Sequence, residues 1–131
     1  MLVETTFHLI AVNRVADVSV WTRQMGISPS GKAQRGDITG KVPSPDSWWA
    51  LVREKRESAG VERELQELLR ELLPHKHEIT ALAASENLEV TVTSYVWGAH
   101  GQGLVADLSP AMLRSLSELG CSYSVVAYES P

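Results

Sequence analysis

The sequence predicts an α+β domain, a two-layer sandwich in which helices cover one face of a mostly antiparallel sheet, related to ferredoxin-like folds. Three observations carry this reading. Residues 88–97 alternate apolar and polar side chains at the two-residue period of a strand, and 3–12 is a β-branched and aromatic run that reads as a strand covered on both faces towards its end. Residues 61–73 instead repeat at the 3.6-residue period of a helix. Strand-like and helix-like segments then interleave along the chain, so helices that join strands can pack on a shared sheet.

The elements follow in order. VETTFHLIAV (3–12) is rich in β-branched and aromatic residues, with Phe7, Leu9 and Ala11 on one face and Thr6, His8 and Ile10 on the other. Val15, Val18, Trp21 or Thr22, and Met25 then recur at helical spacing, and Gly26 suits a left-handed helix end. Residues 27–47 carry Gly31, Gly36 and Gly40 with Pro29, Pro43 and Pro45, which predicts a long loop and a first candidate for a working surface. SWWALVREK (47–55) reads as a second strand, with Trp48, Ala50 and Val52 facing one way and Trp49, Leu51 and Arg53 the other.

In VERELQELLRELL (61–73), Val61, Leu65, Leu68, Leu69, Leu72 and Leu73 form an apolar stripe, and the carboxylates are expected on the wet face. Pro74 should break this helix and open the next, over 75–85, with Ile79 and Leu82 inward. In 88–97, Leu88, Val90, Val92 and Val96 oppose Thr91, Thr93, Tyr95 and Trp97. GAHGQG (98–103) predicts a reversal into a short strand, Leu104–Leu108. Ser109 and Pro110 then cap a helix with Leu113, Leu116 and Leu119 inward, and residues 121–129 form a closing strand.

At 131 residues the chain suits one domain, residues 1–131, with roughly two-thirds of its unfolded surface buried. The net charge of −4 argues against nucleic acid as a main partner, because phosphate binding needs clustered Lys and Arg. Cys121 is the one cysteine, so no internal disulfide or cysteine cage can form, and a small buried thiol is expected. No apolar run reaches the roughly 20 residues of a membrane span, and the N-terminal segment lacks signal-peptide character. A reducing cytoplasm is the expected compartment.

Several motifs invite chemistry and fail on context. GISPSGK (26–32) resembles a phosphate-binding loop, yet it follows a helix, contains Pro29, and places Ala33 where a hydroxyl would meet Mg²⁺. His75 and His77 sit two residues apart, which on a helix points them away from a common metal. Arg35-Gly36-Asp37 is best read as a tight turn. No nucleophile signature organises the serines and histidines. No catalytic residue, metal ligand or cofactor is therefore assigned. The binding candidates are Arg35, Asp37, Trp48, Trp49 and His100. Adjacent strand residues face opposite ways, so one tryptophan should enter the core and leave the other either as an anchor for recognition or under cover of the 27–47 loop.

Five segments, in this order, resemble the DUF4279 family of bacterial proteins. They are MGISPSGKAQRGD (25–37), the strand start at Trp48, ELLRELLPHK (67–76), EVTVTSYV (89–96) and LSPAMLRSLSELGCSYSVVAY (108–128). The resemblance carries over no catalytic residue. It implies a non-enzymatic protein-binding domain, with an immunity protein that neutralises a bacterial toxin as the specific version to test. The rival expectation is a small-ligand or catalytic pocket between the sheet and the 27–47 loop, built from Arg35, Asp37 and His100.

Overall fold

Ten consecutive residues, Leu2–Ala11, make the central strand β1 of the computed structural model, which describes residues 1–98, 104 and 106–129; burial alternates along it except at Thr5, Thr6 and Phe7, which are all buried. The remaining elements are α1 (Val18–Met25), β2 (Gly31–Ala33), β3 (Ser47–Glu57), α2 (Val61–Leu72), α3 (Lys76–Glu86), β4 (Glu89–Trp97), α4 (Pro110–Glu118) and β5 (Ser122–Tyr128). A single 3₁₀ turn, Leu73–His75, carries Pro74 and joins α2 to α3. The fold is α+β: one five-stranded sheet in the order β2-β3-β1-β4-β5, with helices packed on it. Neighbouring strands are antiparallel except β4 and β5, which run parallel.

Two helices, α1 and α4, start on side-chain caps that the sequence supplies. The Asp17 side chain accepts from the Ser19 amide, and the Ser109 hydroxyl from that of Met112. Gly26 closes α1 at φ +73°, a conformation that costs glycine nothing. Core side chains come from one face of the sheet and from every helix. Phe7 and Leu9 of β1, Trp49 of β3 and Val92 of β4 meet Trp21 of α1, Leu65, Leu68, Leu69 and Leu72 of α2, Ile79 and Leu82 of α3, and Leu116 of α4. The Phe7 and Trp49 rings pack edge to face at 6.1 Å, and the Trp49 indole N–H donates to Thr22 Oγ1 at 3.0 Å.

The structure corrects several sequence expectations. The 27–47 segment is not all loop, because Gly31–Ala33 adds an edge strand to β3. A Cβ at Gly31 would lie 3.3 Å from the Trp48 ring, so the backbone passes close beneath that ring. No strand forms among the described residues of 104–108. Parallel strands need a crossover rather than a hairpin, and α4 supplies it. The predicted reversal at 98–103 lies, from Ala99 on, outside the described residues. Val15 is 71% exposed because α1 begins only at Val18. Leu113 is 55% exposed because Met112, Leu116 and Leu119, not Leu113, pack against the core.

The largest correction concerns α2. Glu64 is buried, not solvated: its side chain is 3% exposed and lies 3.0 Å from Arg53 Nε and 3.6 Å from Arg56 Nε, with the Ser58 hydroxyl at 3.2 Å. A bulge in β3 makes this possible. Between its pairings with Thr5 and Val3, β3 advances from Arg53 to Arg56, one residue more than β1. Strict alternation would turn those two arginines to opposite faces. The extra residue brings both to Glu64.

Candidate functional site: the uncovered face of the sheet

With the helices gathered on one side, the opposite face of the sheet has no second layer among the described residues. Strand alternation assigns side chains to it: Glu4, Thr6, His8 and Ile10 from β1, Trp48, Ala50 and Val52 from β3, Tyr95 and Trp97 from β4, and Tyr128 from β5. The face is strongly aromatic. His8 and Trp48 meet edge to face at 6.0 Å. At the other end, Trp97 stacks on Tyr128 at 5.3 Å, with Tyr95 at 6.3 Å from Trp97 and 6.5 Å from Tyr128.

Between these clusters lies a concavity of about 260 Å³, lined by Glu4, Thr6, His8, Ser30, Gly31, Trp48, Ala50, Val52 and Tyr95. Its buried floor is made of small residues, Thr6 and Ala50, while Trp48 and Tyr95 are the large groups around it. At this size it falls just below the range of about 300–1,000 Å³ usual for drug-sized ligands. It suits one protruding side chain or a small molecule.

The electrostatics of the face are mixed. Burial holds the His8 imidazole below its ordinary pKa, so it is neutral near pH 7, with one nitrogen to donate and one to accept. Glu4 and Glu89 project from the same face. The β3 bulge carries Lys55 over the Trp97 ring, with Nζ 3.8 Å from its centroid. That contact is a cation–π pair.

The sequence-level candidates separate in space. Trp48 belongs to this face, where it is partly buried. Trp49 does not: it is fully buried in the core, so its candidacy as a binding residue is withdrawn. Arg35 and Asp37 are tied into loop closure. The Arg35 guanidinium donates to the Asn13 carbonyl at 2.7 Å and its amide to Ser47 Oγ at 3.0 Å, while Asp37 Oδ2 accepts from the Gln34 amide at 2.8 Å. Neither lines the concavity. His100 lies outside the described residues.

The other motifs are structural in the same way. Lys32 donates to Ser19 Oγ at 3.2 Å, and Ser30 Oγ accepts from the Val52 amide at 2.9 Å, so GISPSGK ties α1 and β2 to the sheet. Burial pushes the Cys121 thiol up to about 12, which leaves it without nucleophilic character at neutral pH. Among the described residues, no group of three or more His, Cys, Asp or Glu could hold a metal ion, and no helix is long and apolar enough to cross a membrane.

The alternation of β4 puts Tyr95 and Trp97 opposite its apolar face but gives no sign of the cluster they join. The missing signal was strand order, which brings β5 and Tyr128 beside them and β1 and β3 in line. Residues 4–130 match the family described as a domain of unknown function, DUF4279. No curated protein and no solved structure matches the chain.

Proposed function

For this chain, which belongs to the DUF4279 family, we propose a non-catalytic role in protein recognition through the uncovered face of the sheet. The observation that supports it is the pair of aromatic clusters on that face, Trp48 with His8 and Trp97 with Tyr95 and Tyr128, on either side of a side-chain-sized concavity. Trp and Tyr are the residues that most often dominate binding energy, and a rigid sheet holds them with little ordering cost.

Charge selects the class of partner. The chain's net charge of −4 includes Glu4 and Glu89 on this face, against Lys55, so a basic protein surface is the overall complement. Lys55 against Trp97 is an internal example of the contact a partner Lys or Arg would make. In the immunity reading, this surface masks a basic toxin. That role needs only shape and charge, and it needs no reacting group.

The test is calorimetric titration of the purified chain with the purified product of the gene next to its own. Trp48→Ala and Trp97→Ala should each weaken binding by 10-fold or more, roughly 1.4 kcal/mol at least, with the fold retained by circular dichroism. Absence of binding removes the immunity reading. Tight binding that ignores both substitutions removes the assigned surface.

A second reading, a small ligand, is favoured by the concavity itself, since Ser30 and Gly31 of the 27–47 segment line it together with the sheet. Ala50→Phe would fill that space. Thermal stabilisation by small aromatic or ammonium compounds that this variant abolishes would favour the small-ligand reading over the protein one.

A further inference from the structure

We infer that the concavity on the open face is an arginine pocket. It takes one arginine side chain of a protein partner, laid between β1 and β3, an assignment that rests on the recognition role proposed for this face.

The lining falls into two rows that run side by side, with His8 paired to Ala50 and Thr6 to Val52. Strand β1 supplies a polar row of Glu4, Thr6 and His8. Strand β3 supplies an apolar row of Trp48, Ala50 and Val52. A side chain with an apolar stem and a charged head matches such a trough.

Charge selects the head. Glu4 is the one charged group lining the trough among the described residues, because burial keeps His8 neutral near pH 7. Glu4 also has no ion-pair partner among those residues. Lys55, in the β3 bulge that faces Glu4, holds its Nζ over the Trp97 ring instead. A neutral or anionic occupant would cover the Glu4 carboxylate without a partner, whereas a cation pairs with it.

Thr6 is a second, independent sign of an occupant. It is only 4% exposed and lines the trough, and its hydroxyl has no hydrogen-bond partner among the described residues. Buried polar groups are normally paired, so this hydroxyl awaits a donor. A guanidinium fits both groups better than an ammonium does. It is planar with five N–H donors, so it can bond Glu4 and Thr6 together and still lie flat on an aromatic ring. Tyr95, opposite Glu4 in the pairing of β1 with β4, supplies that ring. The methylene stem then runs over Val52 and Ala50 towards Trp48.

The probe is N-acetyl-arginine N-methylamide, which presents the side chain as a polypeptide does. Titrated into the full chain and followed by NMR, it should shift the Thr6 and Val52 amides and the Trp48 indole N–H, with a dissociation constant of about 1–10 mM. The citrulline analogue keeps the shape without the charge and should bind at least about 10-fold more weakly, and the lysine analogue about 3-fold. Glu4→Gln, at a partly exposed position, should keep the wild-type circular dichroism and bind the arginine compound about 10-fold more weakly. Citrulline or lysine binding as tight as that of arginine overturns the inference, as does arginine binding that ignores Glu4→Gln. Absence of any shift at about 50 mM overturns it too. Tighter binding of free arginine than of the blocked compound also overturns it, since the trough would then serve a small molecule and not a partner's side chain. Titration with the adjacent gene product decides separately whether the face binds a protein, so failure of the pocket and failure of the recognition role are told apart.

Discussion

Removing the Glu64 carboxylate tests the α2–β3 junction more sharply than any other single change. Glu64→Ala deletes the acceptor of the Arg53 and Ser58 hydrogen bonds and strands two cations that had shared it. Breaking a fully buried pair costs about 3–5 kcal/mol, because the remaining charge loses its partner in a low dielectric. Here the survivors are only partly buried: the Arg53 side chain is 27% exposed and that of Arg56 45%. Water can reach both, so the expected loss is smaller, about 2 kcal/mol. For a domain of this size that lowers the melting temperature by roughly 6–10 °C.

The reverse deletion is predicted to be worse. Arg53→Ala leaves the buried carboxylate with the Ser58 hydrogen bond and, of its cations, only the longer 3.6 Å approach of Arg56, so its cost should exceed that of Arg56→Ala by about 1–2 kcal/mol. Urea unfolding of the three single variants, with a double-mutant cycle for Glu64 and Arg53, measures each cost and the coupling. A loss below about 0.5 kcal/mol for Glu64→Ala is what a surface carboxylate gives, and it would refute the buried junction.

Three other outcomes follow from the core and from buried titratable groups. Leu69→Asp puts an unpaired charge at a site 1% exposed and should leave the chain unfolded or molten by near-ultraviolet circular dichroism. Cys121, held protonated up to about 12, should resist thiol reagents in the folded protein at pH 8 and react promptly in urea. Its raised folded pKa also means that its contribution to stability is complete below the unfolded thiol value and is lost as pH climbs towards 12. His8 has the opposite sign. Burial lowers its folded pKa, so the unfolded chain binds more protons below about pH 6.5, and stability should fall on acidification. Urea midpoints at pH 7.5 and 5.5 should therefore differ less in His8→Gln than in the wild type.

Local patterns carried most of the fold in the sequence. The two-residue period of β1 and β4 and the helical period of α2 specify element and face together, since a shift by one residue would bury polar side chains. Caps marked the ends: Gly26, Pro74, Ser109 with Pro110, and Gly120. Three features were not legible, each for a non-local reason. Strand β2 is too short to show a period and exists through its pairing with β3. The β3 bulge is defined only against β1, so nothing in WALVREKRE announced that Arg53 and Arg56 would share Glu64. The parallel pairing of β5 follows from where α4 carries the chain.

The candidate site was half legible for the same reason. Adjacent placement of Trp48 and Trp49 required one to face away from the core, and the alternation of β3 grouped Trp48 with Ala50 and Val52. Choosing the buried one needed the position of the helices. Arg35 and Asp37 looked like a polar site because they sit in a Gly- and Pro-rich segment. Their hydrogen bonds instead hold that segment to Asn13 and close a turn within it at Gln34.

The most direct test of the recognition surface compares two faces in one titration. The purified product of the adjacent gene is titrated into wild-type chain, the open-face variant Trp48→Ala/Tyr95→Ala, and the helix-face variant Arg70→Ala/Glu71→Ala. A loss of roughly 30-fold or more is expected for the open-face variant and less than about 2-fold for the helix-face variant. The opposite pattern, with the helix face sensitive and the open face neutral, would contradict it.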